Sequence, residues 1–78
     1  MWQEKNNSLS RKYEFPDFAQ ALGFVNKISE LAEAENHHPD IKFGWGYAEV
    51  SLTTHSEGKI TDKDRKMADA IEVLYKGL

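Results

Sequence analysis

The feature that most constrains this 78-residue chain is a hydrophobic period that switches from two to about 3.6, and does so twice. Before Pro16 the side chains alternate. Leu9, Arg11, Tyr13 and Phe15 fall on one face of an extended segment, and Ser10, Lys12 and Glu14 on the other. Asn6-Asn7 just upstream is a turn signal, because asparagine tolerates left-handed backbone. A β-hairpin with a short first strand is therefore expected. Pro16-Asp17 ends it. Asp17 can cap a helix with Gln20 three residues on. Apolar residues then recur at Phe18, Ala21, Leu22, Val25, Ile28 and Ala32, which is helical spacing. Phe24 and Leu31 widen the stripe to about half the circumference at roughly 100° per residue, enough for two packing contacts. Asn26, Lys27 and Glu30 lie opposite, Glu33 sits at the border, and His37 is one turn further along that edge. Pro39 disfavours helical geometry at His38, so the helix should end around Asn36 or His37 and leave His37 and His38 on an exit loop.

Alternation then returns. Ile41, Phe43, Trp45 and Tyr47 alternate with Lys42, Gly44, Gly46 and Ala48, which predicts a second strand region. Gly44 and Gly46 there suggest a bulge or the close approach of another backbone or a ligand. Further on, Val50, Leu52 and Thr54 share one face, and Glu49, Ser51, Thr53 and His55 the other. Glu57-Gly58 is a loop. Thr61 reads as an N-cap with Asp64 at the third helical position, a capping box weakened by the short aspartate side chain. Met67, Ala70, Ile71 and Leu74 form a second helical stripe ending near Gly77. The order β-β-α-β-β-α favours an α+β fold: a four-stranded antiparallel sheet with helices on one face, in a single domain over residues 1–78.

A core built from so short a chain is marginal. Domains of this size usually add disulfides, a metal or a partner subunit. There is no cysteine, which excludes disulfides and thiolate zinc sites and leaves self-association as the expected remedy. The net charge of −3 comes from interspersed acidic and basic residues. No basic stripe marks a nucleic-acid ligand. No apolar run approaches a membrane span, and Met1–Lys5 holds no signal-peptide core. A soluble cytoplasmic protein is expected.

Histidine is the side chain that both gives and takes protons near neutrality, so His37, His38 and His55 are the candidates for chemistry. Adjacent histidines on a loop point in different directions. Equally, His37-His38 could be a polar helix terminus that favours the dipole when protonated. His55 ends a strand on its non-core face, where a histidine is commonly just solvated. Asp64 is either a helix-start carboxylate or a group that orients a histidine. Glu33 is either a surface residue or an acceptor for His37. Three histidines plus water is a known zinc ligand set. However, adjacent residues converge poorly on one ion, and the i, i+4 histidine pair is missing, so no metal is expected. Trp45, Phe43 and Tyr47 read as core or interface, with stacking on a flat heteroaromatic ligand as the other option.

Glu33, His37-His38-Pro39, Trp45, His55 and Asp64, in this spacing, resemble the signature of the pterin-4a-carbinolamine dehydratase family. The similarity extends to Phe15-Pro16-Asp17-Phe18, Leu31–Glu35, Leu52-Thr53-Thr54-His55 and Ile60–Asp64, so it runs from about Trp2 to the C-terminus. The resemblance implies the same α+β fold, a homodimer or homotetramer, and dehydration of 4a-hydroxytetrahydropterin to quinonoid dihydropterin. It implies that pterin is substrate and that no cofactor is needed. His37, His38 and His55 would line the pterin site, with His38 the general acid at the hydroxyl, His55 the base or a binding residue and His37 a second acid/base or a positioning group. Asp64 would orient His55 or contact the ring, Glu33 would buttress His37, and Pro39 and Trp45 would support the site. Two departures stand out: the helix that usually precedes the first strand is absent, and Trp45-Gly46 stands where many members have Tyr-Asn. A non-catalytic assembly or dimerisation module on the same fold, and a metal-dependent hydrolase, are the competing expectations.

Overall fold

The computed structural model describes residues 2–78. Its elements are β1 (Gln3–Lys5), β2 (Ser8–Glu14), α1 (Phe18–Glu35), β3 (Asp40–Gly44), β4 (Tyr47–Leu52) and α2 (Asp62–Lys76). The four strands form one antiparallel sheet in the order β1-β2-β4-β3.

Register sorts the faces. Leu9 pairs with Leu52, Arg11 with Val50 and Tyr13 with Ala48, so these residues share one side of the sheet. Leu9, Tyr13, Ala48, Val50 and Leu52 are buried there with Phe24 and Ile28 of α1 and Met67, Ala68 and Ile71 of α2. Both helices therefore cover that face. On the other face Ser51 of β4 lies between Ser10 and Asp40, and Glu49 lies between Lys12 and Lys42, an alternation of charge that suits water. Arg11 lies on the core face and survives there by pairing with Glu72 of α2, which also accepts from the Tyr13 hydroxyl at 2.7 Å.

The turns follow local chemistry. Asn6 and Asn7 join β1 to β2 with φ of 52° and 60°, the left-handed pair a two-residue hairpin requires. Asp17 caps α1 by accepting from Gln20 N–H at 2.9 Å. Ala21, Phe24, Ile28 and Ala32 form the buried stripe of α1, so Phe24 is central to it rather than at its edge. Leu22 and Phe18 are partly exposed, and Phe18 packs on Phe43 of β3 with ring centroids 5.5 Å apart.

The region around Trp45 differs from the sequence reading. It is a hairpin turn, not a strand: Trp45-Gly46 links β3 to β4, with Gly46 at φ 81°. Trp45 is 73% exposed and is not part of the core. Gly44 is the position of close approach, because a Cβ there would lie 2.9 Å from the Tyr47 ring.

Candidate active site

Two chain segments meet at one end of the sheet. Asp40, the first residue of β3, pairs with Ser51 near the end of β4. The His37–Pro39 loop that enters β3 and the Thr53–His55 segment that leaves β4 are thus neighbours. Trp45 sits at the opposite end of β3, about 16 Å away at the usual strand rise, so within one chain it is not gathered with the histidines.

Asn36 sets the direction of the first segment. It caps α1 in the left-handed conformation, φ 52°, and its N–H and that of His37 both donate to the Ala32 carbonyl. This turn redirects the chain. His37 leaves the Glu33 edge of the helix and points to α2, where its Nε2 lies 2.6 Å from Asp64 Oδ1. His38 reaches back instead, with Nε2 2.5 Å from Glu33 Oε2. Neither carboxylate has the histidine expected of it: Asp64 holds His37 and not His55, and Glu33 buttresses His38 and not His37. Exposure also separates the pairs. The His37 side chain is 13% exposed on a fully buried Asp64, whereas His38 and Glu33 are 54% and 74% exposed.

Asp64 is the hub. Its Oδ2 accepts from Thr54 Oγ1 at 2.7 Å and from Thr61 N–H at 2.9 Å, the latter completing the capping box of α2. Burial pushes its carboxyl pKa up, but the bonds from Thr61, His37 and Thr54 outweigh that, and the net shift is below the usual carboxylate value. Asp64 is ionised near neutrality, so it can only accept, and His37 must present Nε2–H to it. In the neutral ring that leaves Nδ1 as the free base.

His37 opens onto a cleft of about 360 Å³ between the end of α1 and the start of α2, floored by Leu31, Met67 and Ala70, with Glu35, Lys63 and Lys66 around it. A second, shallower cleft of about 280 Å³ is lined by Thr54, Ser56, Glu57, Thr61, Asp62 and Lys63. His38 and His55 line neither. His55 is exposed, and among the described residues no side chain hydrogen-bonds to it. Sequence reading missed Thr54, which it placed on the apolar face of the strand. The signal was there: a polar residue at a core position needs a buried hydrogen-bond partner. Among the described residues no group of three or more histidine and acidic side chains is arranged to hold a metal ion, and no helix is long and apolar enough to cross a membrane.

Comparison with known proteins agrees with this architecture. Residues 1–74 match the family model described as pterin 4 alpha carbinolamine dehydratase. A protein of Koribacter versatilis named "Putative pterin-4-alpha-carbinolamine dehydratase" is 40% identical over 74 residues, covering 95% of this chain and 79% of its relative. The crystal structure of a transcriptional coactivator/pterin dehydratase from Brucella melitensis superposes with a TM-score of 0.89 at 33% identity, covering 94% of this chain and 80% of the other. A pterin dehydratase-like protein described as a RuBisCO assembly factor in the alpha-carboxysome gives 0.77 at 25% identity, with 95% and 86% covered. With nearly its whole length matched, and with the fold shared, this chain belongs to the pterin 4 alpha carbinolamine dehydratase family.

Proposed function

We propose that the protein dehydrates a 4a-hydroxytetrahydropterin to the quinonoid dihydropterin by histidine acid/base catalysis, with pterin as substrate and no cofactor. The observation that carries this reading is the buried, ionised Asp64, which fixes the tautomer of His37 beside a cleft. In the reaction the C4a–O bond breaks as the hydroxyl takes a proton and leaves as water. N5 loses its proton, and its electron pair forms the C4a=N5 bond. Each positioned proton transfer of this kind contributes about 10²–10⁴-fold. His38, anchored through Nε2 to Glu33, serves as acid at the hydroxyl. His55 serves as base or binding group at N5, and His37 acts through Nδ1 as the second acid/base. Purified protein should accelerate formation of the quinonoid product without added metal. His38→Ala and His55→Ala each retaining the wild-type rate would refute these roles.

Phe18, Leu22, Trp45 and Val73 leave apolar surface exposed, which supports self-association into a dimer or tetramer of a cytoplasmic protein. Sedimentation at micromolar concentration tests it, with a monomer as the contrary result. A second reading, a non-catalytic assembly module, is favoured by the likeness to the carboxysome assembly factor. A stoichiometric protein partner together with a dehydratase rate at background would select it.

A further inference from the structure

We propose that Thr54 is a positioning residue that locks the two histidine-bearing segments to each other and, through Asp64, sets which nitrogen of His37 faces a ligand. This rests on the acid/base reading of the site above.

Counting protons fixes the direction of each bond to Asp64. An ionised Asp64 has none to give, so each neighbour donates to it: His37 Nε2–H, Thr54 O–H and Thr61 N–H. Thr54 has one hydroxyl proton and spends it on Asp64. At the 2.6 Å contact between Thr54 Oγ1 and Thr61 Oγ1, Thr61 must therefore be the donor. Thr61 Oγ1 in turn accepts from Lys63 N–H at 3.3 Å. The result is a chain of one polarity, from the first turn of α2 through two hydroxyls to the carboxylate, with His37 donating to its other oxygen. His37 keeps its Nε2 proton in both charge states, and Nδ1 is the nitrogen that exchanges.

The backbone of Thr54 closes the other half of the lock. Its N–H donates to Lys59 C=O at 3.1 Å, and its C=O accepts from Glu57 and Gly58 N–H at 3.0 and 2.9 Å. These bonds build the turn that carries His55. One buried residue, 5% exposed, thus restrains His37 through its side chain and His55 through its main chain. Valine has the same shape without the donor, so a residue that merely filled space would tolerate Thr54→Val.

The test is NMR of ¹⁵N-histidine-labelled protein, with ¹³C-aspartate labelling for Asp64. Wild type should show His37 as the Nε2–H tautomer; an Nδ1–H tautomer overturns the proposal. In Thr54→Val the Asp64 carboxyl should titrate at higher pH than in wild type. The His37 Nε2 proton should exchange with water about tenfold faster, the equivalent of one hydrogen bond to a charged group. The kcat for dehydration should fall about tenfold, with KM within twofold. Thr54→Ser, which keeps the hydroxyl, should restore all three, and it serves as the reference should the valine variant fold poorly. An unchanged Asp64 titration and His37 exchange in folded Thr54→Val would reduce Thr54 to packing and end the proposal. Intact NMR signatures with no dehydratase rate in wild type would leave the positioning role standing and remove the assigned activity instead.

Discussion

Replacing Asp64 with alanine removes three hydrogen bonds at once from a fully buried position. Removing one partner from a buried charged network costs about 3–5 kcal/mol, because its neighbours are left uncompensated. Here the low end applies. The His37 ring is 13% exposed and can turn to water. Thr54 keeps Thr61 Oγ1 as a partner. The amide of Thr61 is only partly buried, and losing its cap costs about 1 kcal/mol. A loss of about 3 kcal/mol is a large share of the roughly 4–12 kcal/mol that a chain of this length carries. It should lower Tm by about 12–24 °C in a circular-dichroism melt at pH 7. The pH dependence supplies a second check. The Asp64 carboxyl is depressed on folding, so its stabilisation is complete above the ordinary aspartate pKa and is lost as pH falls through the folded value. The gap between wild type and Asp64→Ala should therefore narrow below about pH 4. A variant that melts within about 5 °C of wild type at pH 7, with a gap that does not change with pH, would refute the hub assigned to this carboxylate.

Three further outcomes are expected. Gly46→Ala forces a side chain into a left-handed turn at φ 81°, with its Cβ 3.3 Å from Phe15 C=O, and should cost about 1–2 kcal/mol in urea unfolding. Glu33→Gln breaks an exposed pair with His38 and should change stability by less than about 0.5 kcal/mol, while lowering the dehydration rate if Glu33 positions the acid. Tyr13→Phe removes the hydroxyl donated to Glu72 and should destabilise by about 1 kcal/mol, read as a Tm lower by about 4–8 °C.

Most of the architecture was legible because the signals were local. Asp17 and Thr61 marked the helix starts, Asn6-Asn7 the first turn, and alternation the faces of β2 and β4. Trp45 was misplaced because Ile41, Phe43, Trp45 and Tyr47 continue a period of two straight through a turn, and only the positive φ of Gly46 breaks it. The site was legible in its members but not in its pairings. Spacing put His37 one turn beyond Glu33 along the same edge, whereas the left-handed Asn36 rotates the chain and gives that place to His38. No local rule announces which histidine a carboxylate 27 or nine residues away will reach: Asp64 meets His37 because α2 docks beside the end of α1. The need of Thr54 for a buried partner was legible from its place on the core face, but the partner was not, since Asp64 comes from a helix that begins after the following loop.

On the proposed function, imidazoles from residues 37–38 and from residue 55 serve one planar ligand. The direct measurement is a titration of ¹⁵N-histidine-labelled protein with 7,8-dihydrobiopterin, a stable planar pterin, following the three ring signals. His37, His38 and His55 should all shift along one saturable curve with a common Kd. A shift of His37 alone, or of none of the three, would contradict it.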